Sequence, residues 1–190
     1  LGMGNALVDI LIRLKDDNLL RSFSLPKGSM QLVGKDLARQ LEKEASALDK
    51  QQASGGSAAN TIHGLAQLGV ETGFIGKVGK DPLGDFFSKD LERSGIKPLL
   101  FYGQADTGRA VTLISTDSER TFAVYLGAAL EQTQAEITGR LFEGYQYLHI
   151  EGYLVHNHDL IDTALKLAKQ NNLKVSLDLA SYNVVEENYG

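Results

Sequence analysis

Two short stretches of this chain hold the residues best suited to chemistry. In the first, Asp9 interrupts an almost unbroken apolar run, Ala6-Leu7-Val8-Asp9-Ile10-Leu11-Ile12. A carboxylate in such a strand is costly unless it is paired or meets a ligand. Asn5 stands just before it with an amide that both donates and accepts. In the second, Gly55-Gly56-Ser57-Ala58-Ala59-Asn60 permits a tight turn and lets a ligand approach bare backbone. Ser57 has the residue type of an N-cap, and Ala58, Ala59, Ile62, Leu65, Ala66 and Leu68 recur at helical spacing. The start of that helix offers free N–H groups and a partial positive charge, with Asn60 in its first turn. No lysine follows the glycines, so the junction suits a polyhydroxylated ligand better than a phosphate. An ordinary strand-turn-helix junction carries the same glycines, and a carboxylate that reaches water at a strand end is the plain reading of Asp9.

Other arrangements exclude chemistry. Gly2-x-Gly4 lacks the third glycine and the following helix of a dinucleotide fingerprint, which disfavours a nicotinamide-dependent oxidoreductase. No Walker A string occurs. His156, His158 and Asp159 lie close together but do not supply four ligands, so no metal site is assigned. The chain has no cysteine, which rules out disulfides, thiolate metal sites and a cysteine nucleophile. The net charge is −5 without a lysine or arginine cluster, so no nucleic-acid partner is expected. No apolar run approaches the ~20 residues of a membrane span, and no membrane partner is expected.

The elements that must position these residues follow from periodicity. Residues 2–12 read as one strand buried on both faces of a parallel sheet. Residues 35–48 read as an amphipathic helix with Leu37, Leu41, Ala45 and Leu48 on one stripe. The helix after Gly56 ends at Gly69, a strand follows over 70–78, and Pro82 opens a helix behind Asp81. Residues 97–102, 107–115 and 120–126 read as strands with a turn at Asp117-Ser118, and 133–142 as a helix. A strand over 147–150, a helix to about residue 170 and a strand over 174–179 complete the pattern. Asp178 falls near the carboxyl end of that last strand, where open α/β sheets place their ligand crevice. Strands alternating with helices argue a doubly wound, mostly parallel α/β sheet.

The run from Gly55 to Gly84, with Gly55, Gly56, Asn60, Gly69 and Gly79 in order, resembles the amino-terminal signature of the PfkB (ribokinase-like) family of carbohydrate and nucleoside kinases. Ile62 stands where that family has a small residue. Gly4-Asn5-Ala6-Leu7-Val8-Asp9 and Tyr125-Leu126-Gly127-Ala128-Ala129 resemble the adenosine-kinase-like members. The resemblance implies a three-layer, ribokinase-like, Rossmann-like sheet with a small β-sheet lid over the substrate. Residues 1–190 are then the substrate-side part of one domain, with lid segments at about 13–33 and 97–126. It implies an ATP-dependent kinase, with Mg²⁺, acting on a primary hydroxyl of adenosine or a related nucleoside. A free-sugar kinase for ribose or fructose is the alternative, and a non-catalytic sugar- or nucleoside-binding protein the alternative of another class. By the same resemblance Asp9, Asn5, Gly55, Gly56 and Asn60 hold the substrate. Met30 is a lid contact, Arg120 a phosphate or substrate contact, and Asp178 lies near phosphoryl transfer. The family's Asn-x-x-Glu string, associated with Mg²⁺, and its Gly-Ala-Gly-Asp motif, which carries the catalytic base, are expected beyond Gly190. A cytoplasmic location and a homodimer through the lid are further expectations.

Overall fold

The computed structural model describes residues 1–188. In chain order the strands are β1 (Gly2–Met3), β2 (Leu7–Arg13), β3 (Met30–Leu32), β4 (Lys50–Gly55), β5 (Thr72–Val78), β6 (Ile96–Tyr102), β7 (Gly108–Ile114), β8 (Arg120–Tyr125), β9 (Tyr147–Ile150) and β10 (Lys174–Leu177). The α-helices are α1 (Asn18–Ser22), α2 (Lys35–Glu44), α3 (Ser57–Gln67), α4 (Pro82–Arg93), α5 (His158–Gln170) and α6 (Tyr182–Glu187).

The main sheet is five-stranded, in the order β10-β9-β1-β5-β6, and every pair in it is parallel. All seven residues of β5 are buried, as a strand covered on both faces requires. Alternate residues of β5 divide between two cores. Phe74 and Val78 pack with Ala58, Ala59 and Ile62 of α3 and Phe87 and Leu91 of α4. Ile75 packs with Leu148, Ile150 and the Leu160, Ala164 and Ala168 stripe of α5. Helices thus cover both faces, giving the three layers expected from the sequence.

A second five-stranded sheet has the order β3-β8-β7-β2-β4. Its inner face, including Val8, Ile10, Ile12, Val111, Leu113 and Ala123, belongs to the same core as Leu41 and Ala45 beside α2. Its other face carries Leu7, Asp9 and Leu11, which alternate with that inner set.

The structure corrects several expectations. Residues 2–12 are two strands in two sheets, and Gly4-Asn5-Ala6 is the crossover between them. Asp9 therefore lies in the second sheet. Residues 97–102 belong to the main sheet, because the α4 crossover returns the chain parallel to β5. The second sheet instead takes in β2 and β4, outside the segments 13–33 and 97–126. Residues 133–142 form two short 3₁₀ turns, Gln134–Glu136 and Gly139–Phe142. Thr138 is extended there and Gly139 follows it, two poor helix formers that break the run.

The two sheets are tied together by Asp81, the N-cap of α4. Its Oδ1 accepts from the Gly84 amide (2.9 Å) and the Thr107 hydroxyl (2.6 Å), and its Oδ2 from the Thr107 amide (2.7 Å) just before β7. Asp81→Ala removes the cap and this tie together. We expect a loss of about 2 kcal/mol in urea denaturation, whereas a loss within error would show that the tie carries no stability.

Candidate functional site

The order of the main sheet reverses beside β1. After β1 the chain fills β5 and β6 on one side, then returns to β9 and β10 on the other. Open α/β sheets bind ligands in the crevice outside the carboxyl ends at such a point. Asn5 follows β1 and Glu151 follows β9, so the two meet there. Asn5 Nδ2 donates to Glu151 Oε1 at 2.6 Å in a buried bond. Glu151 Oε2 accepts from the Ala58 amide, in the first turn of α3, at 3.2 Å. Burial pushes the Glu151 pKa up, against the bonds from Asn5 and Ala58 that pull it down. The Asn5 side chain is 3% exposed, and its Oδ1 has no partner among the described residues.

Asp9 shows the opposite condition. Its carboxylate accepts no hydrogen bond among the described residues, and burial raises its pKa from 3.8 to about 6. It lies over Gly55 of β4, and any side chain on Gly55 would overlap it. Gly56 has φ +100° and packs against the Asn5 carbonyl. Both features demand glycine, so each member of the pair has its own reason. Gly56, not Ser57, caps α3. The Ser57 hydroxyl instead donates to Asp178 Oδ2 at 2.8 Å.

A cavity of ≈ 500 Å³ opens beside Asn5 and Glu151 and is walled largely by Leu7, Met30, Leu32, Val124, Leu126 and Leu130. Met30, to which the family resemblance gives a lid contact, lines this wall. A larger cavity, ≈ 610 Å³, is lined by Leu1, Thr72 and Tyr147 at the amino ends of the strands, outside the crevice.

The remaining expected site residues are spread. Asn60 is exposed on α3, and its backbone amide donates to the Gly56 carbonyl at 2.9 Å. Asp178 is fully engaged: its Oδ1 accepts from the Gly152 and Ala180 amides at 2.9 and 2.8 Å, and its Oδ2 from Ser57. It fastens the end of β10 to α3. Arg120 is exposed at the hairpin end of β8, four residues from Val124, the β8 residue that lines the cavity, and does not itself line it. Glu151 was missed by sequence reasoning, although an acidic residue directly after the apolar strand 148–150 was the available signal. The expectation that no Asn-x-x-Glu string falls within the chain is corrected by the sequence itself. Asn183-Val184-Val185-Glu186 has that spacing, on α6, with both polar residues exposed.

Two other clusters do not form sites. Ser54 Oγ lies 2.7 Å from His63 Nε2 and 2.6 Å from Asp90 Oδ2. A hydrolytic triad needs the histidine between the other two; here the serine is central and donates to Asp90. Among the described residues no three His, Asp or Glu side chains converge on a metal position, so none is assigned a role toward Mg²⁺. No helix among them is long and apolar enough to cross a membrane.

Comparison with known proteins agrees with this architecture. A family model described as pfkB family carbohydrate kinase matches residues 28–187. The chain is 34% identical over 139 residues to 5-dehydro-2-deoxygluconokinase of Clostridium beijerinckii, covering 68% of this chain and 41% of that protein. It is 27% identical over 200 aligned positions to guanosine-inosine kinase of Escherichia coli, covering 98% of this chain and 46% of that protein. The structure superposes on adenosine kinase from Sinorhizobium meliloti with TM-score 0.83 at 30% identity, covering 98% of this chain and 58% of the other. The chain therefore spans less than half the length of those two curated relatives. It belongs to the pfkB family, whose kinases are phosphotransferases that use ATP.

The unpaired Asp9 makes a pH prediction. Its raised folded pKa means that the native state favours the protonated form. That contribution is complete below the unfolded value near 3.8 and is lost as pH rises through about 6. Against Asp9→Asn, wild type should lose about 3 kcal/mol of unfolding free energy between about pH 3.5 and pH 7. A pH-independent difference would mean that Asp9 is solvated.

Proposed function

We propose that this pfkB-family chain is the substrate-binding part of an ATP-dependent kinase that phosphorylates the primary hydroxyl of adenosine or a related nucleoside. One observation carries the reading: a largely apolar cavity of ≈ 500 Å³ is lined at one end by Asn5, whose buried Oδ1 lacks a partner among the described residues, and Asp9 stands two residues past the lining Leu7 on the same face of β2. A nucleoside has the same two halves, a flat base and a polyol. Ligand pockets are of this kind, mostly apolar with a few placed polar groups. In this reading Leu7, Leu32 and Leu126 contact the base. Asp9 accepts from ribose hydroxyls in the room that Gly55 leaves, and Asn5 Oδ1 accepts a further donor. Asn60 and the first turn of α3 edge the sugar. The second sheet acts as the lid and excludes water, since transfer to water is the competing reaction.

Bound ATP supplies the phosphoryl group, and catalysis of such transfers rests on positioning and charge stabilisation. Among the described residues no metal ligands converge, so none of them is assigned as catalytic base or Mg²⁺ ligand. The guanosine-inosine kinase and adenosine kinase relatives support a nucleoside. A second reading, a free-sugar kinase, is favoured by the 34% identity to 5-dehydro-2-deoxygluconokinase. The Asp9–Gly55 cradle would serve it equally, but the apolar wall would then face only water.

Calorimetry separates the two. Adenosine should bind at least about tenfold more tightly than ribose or fructose, and Asp9→Asn should weaken it by about tenfold or more, as loss of a charge-assisted hydrogen bond does. Hydroxyls that donate to Asp9 favour its ionised form, so affinity should rise with pH through about 6 and stay flat in Asp9→Asn. Equal affinity for ribose would move the assignment to the sugar kinases. An Asp9→Asn variant that binds every ligand normally would place the pocket elsewhere.

A further inference from the structure

We infer that Glu151 is a positioning residue that makes the polar end of the cavity a hydrogen-bond acceptor. This rests on the reading of the cavity as the substrate pocket. Glu151 is 2% exposed, and both of its oxygens are used by donors: Asn5 Nδ2 at 2.6 Å and the Ala58 amide at 3.2 Å. The bond to Nδ2 fixes which way the Asn5 amide faces. Its other end, Oδ1, is buried without a partner, and both residues line the cavity. A ligand that presents an O–H or N–H to Oδ1 completes the set, whereas one that presents only an acceptor leaves two acceptors opposed in a buried site.

An isosteric change turns this arrangement round. Glu151→Gln has one acceptor and one donor where the carboxylate has two acceptors. The Ala58 N–H is backbone and cannot reverse, so the Gln oxygen must stay with it. The Gln amino group then faces Asn5, and the bond survives only if the Asn5 amide rotates to offer Oδ1 to it. That rotation puts Nδ2 where Oδ1 stands and converts this polar end from acceptor to donor. A glutamate that merely supported the fold would weaken all ligands alike.

The test has two arms on the folded protein, with circular dichroism confirming that Glu151→Gln is native. In the first, NMR follows the Asn5 side-chain amide protons. Wild type should show contacts from these protons to the Glu151 methylenes, and Glu151→Gln should lose them. In the second, adenosine is compared with its 2′-deoxy-2′-fluoro and 3′-deoxy-3′-fluoro analogues, since fluorine accepts but does not donate. Wild type should bind both analogues about tenfold more weakly than adenosine, one through Asp9 and one through Asn5. In Glu151→Gln one of the two gaps should close to within about threefold. Unchanged amide contacts, or two unchanged gaps, overturns the proposal. If wild type binds no nucleoside at all, the functional reading fails, and the amide contacts alone decide the role of Glu151.

Discussion

A buried carboxylate must be met by donors, and the fold is arranged around one that is. Glu151 sits at the end of β9 and draws its donors from residues 146 and 93 positions away in sequence. Removing either donor would leave charge in a low-dielectric site, which costs several kcal/mol. Three places are thereby held to one another: the end of β9, the crossover after β1, and the first turn of α3. Glycines at 4 and 56 let the backbone close around this point, because a side chain at either would collide with Glu151 or with the Asn5 carbonyl. The crossover in turn sets where β2 begins, and β2 carries Asp9.

Glu151 and the half-buried Asp9 have opposite conditions, and the contrast separates a satisfied carboxylate from an unsatisfied one. Glu151 has both oxygens satisfied by protein. Asp9, a few residues past the crossover, has neither satisfied, and burial alone holds its pKa near 6. A carboxylate left so by the protein is a place for hydroxyl donors from outside it. Asp178 belongs with Glu151: three protein donors occupy it, and its position at a strand end serves the junction of β10 and α3.

The sequence made the fold class legible because its strong signals are local. The helix after Gly56, the Asp81-Pro82 start and the strand read over 70–78, which the structure begins at Thr72, each follow from residue type and period, and the glycine pair marks the turn into α3. What was not legible depends on pairing at long range. An apolar run such as residues 6–12 reads the same in either sheet, and only the turn at Gly4-Asn5-Ala6 tells them apart. The strand at 97–102 looks like its neighbours, and its place in the main sheet comes from the helix before it. Glu151 carried no motif, since its meaning lies in the asparagine it meets across the sheet. Arg120 shows the converse, where family resemblance suggested a contact for a residue that does not line the cavity.

The central claim is that a nucleoside binds where the two sheets part, at the carboxyl ends of β1 and β9. Amide chemical-shift mapping with adenosine addresses it directly. The account predicts that the perturbed amides cluster at residues 4–9, 55–60 and 151–156. Perturbation centred on residues 70–72 and 144–149 would instead place the ligand in the cavity at the amino ends of the strands and contradict it.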